Sequence, residues 1–253
     1  PPLEIHLKRN SIVESIHRAH AVVCDSKGRV LMRAGNANHE SFIRSALKPF
    51  QILPFLSSGT AELIQAGEKG LAICCGSHAG STIHAREVFR VLWNANIDVN
   101  MLQCPIPKKA RSPLEHNCSG KHAAFLATCK KMGWSLDSYL QGEHALQKEI
   151  LRVVSEFLSI PKDELIAARD DCGAPTLSLQ ISQMAFLYAI LSGSEQAETE
   201  QITRAMLAYP ELVAGKGRFD TELMQRAHGQ LISKGGAEGI QCISRIGEGI
   251  GVA

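Results

Sequence analysis

The order of apolar patterns along the chain constrains its fold more than any other feature of the sequence. Strand-like segments occur near the N-terminus, at residues 12–34, and again in the C-terminal stretch GIQCISRIGEGIGVA. Segments with helical spacing fill the region between them, as in residues 143–158, where Leu146, Ile150 and Val153 share one face. No repeated strand–helix–strand series is visible, which argues against a Rossmann fold. This order predicts an α+β fold whose two ends contribute strands to one sheet.

Individual elements follow from periodicity and from turn residues. Residues 12–34 read as a hairpin around the turn SKG, and residues 240–253 are predicted to pair beside it. The short apolar run 71–75 (LAICC), bounded by two glycines, is predicted to be a buried strand. Helices are predicted over 44–58, 82–96, 122–133, 143–158, 176–192, 199–208 and from Asp220 or Thr221 onward.

Composition excludes several classes of protein. The chain has 253 residues, of which 45% are hydrophobic, and a net charge of +2. That apolar content argues against disorder, and the near-neutral charge gives no sign of nucleic-acid binding. The eight cysteines contain no CxxC pair, and Cys24, Cys74 and Cys75 lie in apolar runs typical of buried thiols. The N-terminus lacks the layout of a signal peptide, so we expect a cytoplasmic protein with reduced cysteines and no membrane partner.

A serine and a lysine three residues apart form the first candidate catalytic motif. Ser45 and Lys48 would share one face of a helix, so the lysine amine could take the proton of the serine hydroxyl. Pro49 requires that this helix begin near Ser45, which would place the hydroxyl at the positive end of the helix dipole. A solvated pair on a surface helix is the alternative. A second copy, Ser159 to Lys162, has no supporting features and reads as a helix end and loop.

Four further segments carry clustered polar residues beside glycine. GSHAG contains Ser77 and His78, although a helix cap, better suited to Ser81, is a competing role. HNCSGKH contains Cys118 and Lys121 at helical spacing before a predicted helix. DDCGAP reads as a turn before a helix. KGGAEG begins with Lys234, and its two glycines would let backbone approach a ligand closely.

Together, the segments RSALKPFQ, GSHAG, HNCSGKHAAFLA, DDCGAP and KGGAEG resemble, in this order, the Rhizobium-type L-asparaginases of the thermolabile asparaginase II family. The resemblance covers nearly the whole chain, and HNCSGKH is its most distinctive part. It implies a serine β-lactamase- and glutaminase-like fold: a sheet flanked by helices, with a helical subdomain, in a single catalytic domain over residues 1–253. It also implies hydrolysis of L-asparagine to L-aspartate and ammonia, and a homodimer.

The resemblance also implies roles for individual residues. Two Ser–Lys pairs would form the active site, Ser45 with Lys48 and Ser77 with Lys234. Ser45 would be the nucleophile and Lys48 its base, while Lys234 would polarise Ser77 and oppose a second positive charge on Lys48. One zinc ion would be bound through Cys118, Lys121 and Cys172, and the two thiolates favour zinc over magnesium. The matched residues that hold the substrate or brace the metal are Arg44, His122 and Asp170.

Departures from the family pattern leave alternatives open. Ser81 stands where an acidic residue usually follows the GSHxG glycine, which concerns substrate preference. The chain stops where family members continue, so we expect the sheet to lack its C-terminal neighbours. A glutaminase or other amide hydrolase on the same fold is one alternative. A catalytically inactive zinc- or ligand-binding relative is another.

Overall fold

The computed structural model describes residues 1–253 and contains ten strands in three antiparallel sheets. The strands are β1 (Leu3–Arg9), β2 (Ile12–Ala19), β3 (Ala21–Asp25), β4 (Val30–Ala34), β5 (Glu40–Phe42), β6 (Ile166–Arg169), β7 (Pro175–Gln180), β8 (Leu231–Gly235), β9 (Gln241–Arg245) and β10 (Ile250–Val252). The helices are α1 (Lys48–Gln51), α2 (Leu53–Ser57), α3 (Thr60–Leu63), α4 (Gly67–Cys75), α5 (Thr82–Asn94), α6 (Ser119–Met132), α7 (Ala145–Leu158), α8 (Ile181–Gly193), α9 (Ala197–Ala208), α10 (Pro210–Val213) and α11 (Phe219–Arg226). Short 3-10 turns cover Arg44–Leu47, Val99–Met101, Pro113–Glu115 and Lys162–Glu164.

The largest sheet joins the two ends of the chain. Its strand order is β4-β3-β10-β9-β8, and every neighbouring pair is antiparallel. Val22 and Ala253 exchange backbone hydrogen bonds of 2.9 and 3.0 Å. The predicted pairing of residues 240–253 beside the N-terminal hairpin is therefore confirmed, as is the α+β fold class.

The N-terminal ribbon, which we define as β1 and β2, is separate from that sheet. Every residue of β1 is exposed, and the turn between the strands uses Asn10 and Ser11 at φ +47° and +69°. Exposed ion pairs join Arg9 to Glu14 and Arg18 to Glu4 across the ribbon. The predicted hairpin over 12–34 is thus only partly right. Its second half, β3 and β4, forms the hairpin, whereas residues 12–19 pair with β1 instead.

The predicted strand at 71–75 is wrong, because these residues form the C-terminal half of helix α4. Helices α5, α6 and α9 pack around α4, so residues 70–75 are buried on every side. A short, wholly apolar run has no periodicity, and periodicity is what distinguishes a buried helix from a buried strand. Gly120 of α6 makes the contact with α4 close, since a Cβ there would overlap the Ile73 carbonyl oxygen.

Two other predicted elements differ from the observed ones. The helix predicted over 176–192 begins only at Ile181, because residues 175–180 are β7, the central strand of the sheet β5-β7-β6. DDCGAP lies between β6 and β7 as a hairpin turn and does not precede a helix. The helix predicted over 44–58 is divided into short pieces, with Pro49 and Pro54 in the first turns of α1 and α2. The piece beginning at Arg44 confirms a helical start near Ser45.

The remaining helices confirm their sequence signals. Helix α6 ends at Met132 and is followed by Gly133 at φ +69°, the left-handed conformation that a helix-terminating glycine adopts. Ser81 caps α5 through a reciprocal pair of bonds with His84. Helices α7, α9 and α11 lie where periodicity predicts them. No helix has both the length and the apolar character needed to cross a membrane.

Candidate active site

The polar segments singled out in the sequence converge on one cavity of about 500 Å³. It opens between the Arg44–Leu47 turn, the β6–β7 turn, the loop before α6 and the end of β8. Thirteen of its lining residues carry polar or ionisable side chains: Arg44, Ser45, Ser77, His116, Asn117, Cys118, Asp170, Asp171, Cys172, Arg218, Asp220, Lys234 and Gln241. Five motifs separated along the chain thus share one space.

Ser45 lies in the second position of the Arg44–Leu47 turn and is half-buried. Its hydroxyl takes part in none of the side-chain hydrogen bonds of the structure, which leaves it free in the cavity. The turn has an unusual backbone, because Arg44 adopts φ +53° in the left-handed region. A bond of 3.0 Å from the Arg44 amide to Thr176 Oγ1 on β7 holds this conformation.

Lys48 is completely buried, yet its amine is fully surrounded by acceptors. Nζ lies 2.5 Å from the Gly76 carbonyl oxygen, 2.9 Å from Ser77 Oγ and 3.3 Å from the Asn117 carbonyl oxygen. An ammonium would donate to all three, whereas a neutral amine would donate to the two carbonyls and direct its lone pair at Ser77. The hydrogen-bonded Ser–Lys pair in the structure is therefore Lys48 with Ser77, and not Lys48 with Ser45 as the sequence predicts.

The GSHAG loop fixes the position of Ser77. The Ser77 amide donates to the Val213 carbonyl at 2.7 Å, and the His78 amide donates to the Asn117 carbonyl at 3.2 Å. Burial, together with the nearby His84 ring, lowers the pKa of His78 well below its ordinary value. The neutral ring accepts from the Gly80 amide at Nδ1 and, through Nε2, contacts Ser119 Oγ at 3.0 Å. His78 thus ties the loop to the start of α6 and does not face the cavity.

Lys234 enters the cavity from the end of β8 and is also completely buried. Burial, with a smaller contribution from Lys48, lowers the pKa of Lys234 to about 8, while the negative charge of Asp220 acts in the opposite direction. Nζ donates to the Gly235 carbonyl at 2.6 Å and makes no hydrogen bond to Ser77, its predicted partner. Gly236 brings this strand end against the Ser45 turn, because a Cβ there would lie 2.7 Å from the Ile43 carbonyl oxygen.

Arg44 is neutralised by two neighbouring carboxylates. Its guanidinium lies 2.8 Å from Asp170 Oδ1 and 2.6 Å from Asp171 Oδ2. The Asp170 side chain is buried, whereas the Asp171 side chain is 91% exposed. The charge of Arg44 is therefore paired within the protein, where it holds the β6–β7 turn in place. Asp171 keeps carboxylate surface available at the cavity mouth.

The three predicted metal ligands lie together beside the cavity. Cys118, Lys121 and Cys172 are all buried, and Lys121 Nζ is 3.4 Å from Cys172 Sγ. A hydrogen bond from Cys172 and the charges of Lys48 and Lys121 hold the pKa of Cys118 well below its ordinary value despite burial. The same bond, together with burial, raises the pKa of Cys172. This hydrogen bond therefore joins the two cysteines, and it acts on their pKa values in opposite directions.

This set of donors fits zinc if lysine serves as a ligand. No group of three or more His, Cys, Asp or Glu side chains converges here or elsewhere in the structure, so Lys121 must supply the third donor. Burial alone would lower the pKa of Lys121, but the charges of Cys172 and Cys118 outweigh it and raise the pKa. A divalent cation would take the place of the protons that the three groups hold without it. Two soft sulfur donors in a buried pocket are what zinc prefers.

His122 does not reach the cavity as a substrate-binding residue would. It is completely buried on the first turns of α6, where its Nδ1 lies 2.8 Å from the Tyr139 hydroxyl. Burial and the adjacent Lys121 lower its pKa well below the ordinary value. Its Nε2 has no hydrogen-bond partner. Of the two roles predicted for His122, this position next to Lys121 agrees with bracing the metal ligands and not with binding the substrate.

Asp220 is a cavity residue that the sequence interpretation treats only as a helix start. It is 7% exposed and accepts hydrogen bonds from Ser233 Oγ at 2.7 Å, the Gly235 amide at 2.9 Å and Gln241 Nε2 at 3.0 Å. Its Oδ2 lies 3.9 Å from Lys234 Nζ. An acidic residue at the first turn of a helix is such a common signal that its sequence context alone does not reveal this role.

Comparison with known proteins shows the family of the chain and supports its fold. A family model described as L-asparaginase II matches residues 5–253. No curated protein matches the chain. A crystal structure titled as Mglu in its native form, in the presence of NaCl, has a TM-score of 0.50 and 14% sequence identity, and the match covers 92% of this chain and 55% of that one.

Two further Mglu crystal structures are similar. The native form has a TM-score of 0.48 and the glutamate form one of 0.49, each with 14% identity and 92% of this chain covered. The chain covers 58% of the first and 55% of the second, so it spans little more than half the length of these proteins. At this identity the likeness concerns the fold. The family match, which extends over almost the entire sequence, is the stronger finding: the chain belongs to the L-asparaginase II family.

Proposed function

We propose that the protein is an amidohydrolase that converts L-asparagine to L-aspartate and ammonia through an acylated serine. Membership of the L-asparaginase II family supports amide hydrolysis in general. The observation that carries the proposal is the buried amine of Lys48, held 2.9 Å from a serine hydroxyl inside a cavity that holds a second, free serine. A desolvated lysine beside hydroxyl groups is the arrangement that produces a serine nucleophile without histidine.

In the proposed reaction Ser45 is the nucleophile. Its hydroxyl oxygen attacks the side-chain amide carbon, and its proton passes to the neutral amine of Lys48, directly or through Ser77. Lys48 then protonates the amide nitrogen, the carbon–nitrogen bond breaks, and ammonia leaves an ester on Ser45. Water attacks the ester, with Lys48 again accepting a proton, and aspartate is released with the serine hydroxyl restored.

Charged groups at the cavity would stabilise this sequence of steps. The ammonium of Lys234 faces the same space and would lower the energy of the oxyanion formed in each addition step. Asp171, which retains exposed carboxylate surface beside Asp170, would receive the α-ammonium of the substrate. Arg44, through its ion pair with each carboxylate, would hold Asp170 and Asp171 in place.

Ser77 is the alternative nucleophile, and one observation favours it. It is the serine that is hydrogen-bonded to Lys48. Mass spectrometry of a trapped acyl-enzyme would identify the acylated residue directly. A covalent adduct on Ser45 agrees with the proposal, whereas an adduct on Ser77 would reverse the roles of the two serines.

An ammonia-release assay with asparagine and with glutamine tests the function. Ser45→Ala should abolish release, and Ser159→Ala is the matched control, because Ser159 belongs to the other S-x-x-K motif at the end of α7. Folded wild-type protein that releases ammonia from neither amide would refute the activity. Faster release from glutamine would indicate the alternative substrate, and full activity in Ser45→Ala would refute the nucleophile.

We also propose that Cys118, Lys121 and Cys172 bind one zinc ion per chain. Bound zinc would supply a fixed positive charge beside the substrate pocket. Metal analysis should find zinc in the wild type and none in the double variant Cys118→Ala, Cys172→Ala. Cys129→Ala, which removes another buried thiol, should keep its zinc. Unchanged zinc in the double variant would refute this ligand set. The single domain, the homodimer and the cytoplasmic location stay predictions.

A further inference from the structure

Asp220 connects helix α11 to the strand end that carries Lys234. Its Oδ1 accepts from Ser233 Oγ at 2.7 Å, and its Oδ2 accepts from the Gly235 amide at 2.9 Å. These two donors belong to the residues immediately before and after Lys234. One carboxylate therefore binds the residue on each side of the lysine, through a side-chain hydroxyl before it and a backbone amide after it, and it does so from a different element of the fold.

The same carboxylate also faces the lysine side chain. Asp220 Oδ2 is 3.9 Å from Lys234 Nζ, beyond hydrogen-bonding distance but close enough for a strong interaction in a buried site. Gln241 Nε2 donates to Oδ1 at 3.0 Å from β9, which fixes the orientation of the carboxylate. Both partners are shielded from solvent, since the Lys234 side chain is 0% exposed and the Asp220 side chain 9% exposed.

Among the ionisable groups around Lys234, Asp220 is the only carboxylate. The groups facing the amine from the surrounding elements are Lys48 of α1, Cys75 of α4, Cys118 before α6, Asp220 of α11 and Cys242 of β9. Burial raises the pKa of both Cys75 and Cys242 to about 12, so these thiols remain neutral near pH 7. A positive charge on Lys48 would oppose one on Lys234. Asp220 favours the charged amine most strongly, and Cys118, whose own pKa is lowered, adds a smaller contribution of the same sign.

We propose that Asp220 is a positioning residue for the reaction, which clamps the strand around Lys234 and keeps its amine charged and directed into the cavity. Asp220 does not itself touch the reacting atoms in this assignment. Its kinetic consequence rests on the proposed amidohydrolase function, because Lys234 must be charged in order to stabilise the oxyanion. Its effect on the protonation of Lys234 does not depend on any catalytic activity.

The kinetic test compares Asp220→Asn with Ser233→Ala. Asparagine substitution keeps the size but removes the charge, so kcat/KM should fall at least about tenfold at pH 7. The alkaline limb of the pH profile, near pH 8 in the wild type, should move to lower pH by about one unit. Ser233→Ala removes a hydrogen bond to the same carboxylate but keeps its charge, so the limb should stay in place. An unmoved limb in folded Asp220→Asn would overturn the proposal.

Two further measurements keep the test decisive. Nuclear magnetic resonance of isotopically labelled lysine should show Lys234 titrating at lower pH in Asp220→Asn, and Lys234→Met assigns the signal. This titration can be measured even if the wild type releases no ammonia, so the role of Asp220 is tested independently of the proposed function.

Asp220→Ala should recover activity when formate is added, since formate can enter the cavity and restore the negative charge. Lack of rescue in a folded Asp220→Ala, or failure of both variants to fold, would mean that Asp220 is only structural.

Discussion

The N-terminal ribbon and the candidate active site use similar residue types in opposite ways. In the ribbon, Leu3, Ile5 and Ile12 are about half exposed or more, and charged residues pair with one another at the surface. In the site, Lys48 and Lys234 are completely buried, and each amine has a carbonyl acceptor within 2.6 Å. The difference shows that a buried lysine amine needs hydrogen-bond acceptors supplied by the fold, whereas an exposed apolar strand needs no such partners.

Replacing one lysine in each region should give the largest contrast. Lys48→Met removes the proposed base and leaves the carbonyls of Gly76 and Asn117 without a donor, so asparagine hydrolysis should fall by about 10³-fold. Lys8→Met on the exposed strand β1 is the control and should leave kcat/KM unchanged. Steady-state kinetics at about neutral pH would measure kcat/KM for both variants. Activity retained in Lys48→Met would show that the buried lysine is no more important for hydrolysis than the exposed Lys8.

Close packing behind the site gives the next effect. Gly120→Ala would press a methyl group into the Ile73 carbonyl, and separating α4 from α6 should cost about 3 kcal/mol of unfolding free energy. Gly142→Ala is the matched control, because a Cβ at Gly142 would meet nothing within 4 Å. Chemical denaturation of the two variants measures the difference. Equal stabilities would show that α4 and α6 have room for a methyl group at this contact.

The buried charge of Lys234 should also make stability depend on pH. Its pKa is about 8 in the folded protein and 10.5 for the ordinary side chain, so between these values the unfolded chain binds more protons. Stability from this group is lowest below pH 8 and rises as the pH increases toward 10.5. Relative to Lys234→Met, the wild type should gain about 2 kcal/mol between pH 7 and pH 10, as measured by urea unfolding. A constant difference would contradict a charged, buried Lys234.

The smallest effect should come from the apolar side chains of the ribbon. Ile12 is 73% exposed, so Ile12→Ser should change the unfolding free energy by less than about 0.5 kcal/mol. The same denaturation experiment measures it. A loss of unfolding free energy well above that value, or a change in molecular mass in solution, would show that a partner covers the ribbon. The ribbon would then be a buried surface, like the candidate active site.

The sequence predicts the site better than it predicts the elements that build it. Ser45, Ser77 and Lys234 lie in separate sequence motifs, and the structure brings them to one cavity. Patterns at helix ends, such as Gly133 after α6, also predict the structure correctly, because capping is a local interaction. Terminal strand pairing followed from the order of elements.

The errors occur where tertiary packing decides the outcome. Residues 71–75 and 175–180 are apolar and short, so their conformation depends on which elements surround them. The hydrogen-bond partner of Lys48 also differs from the prediction, since it is Ser77. Spacing along a helix favours Ser45, but the amine is directed by the carbonyls of Gly76 and Asn117, which come from loops distant in sequence. No local pattern encodes such a convergence.

The left-handed backbone of Arg44 has a consequence for the order of folding. The conformation costs about 1 kcal/mol for a residue with a side chain, and glycine would avoid that cost. Arg44 adopts it because its amide bonds to Thr176 and its guanidinium bonds to Asp170, both in the β6–β7 hairpin. The turn that presents Ser45 therefore has little tendency to form alone. We expect it to become ordered only after that hairpin, which amide hydrogen exchange during refolding would detect as later protection of Arg44 than of β7.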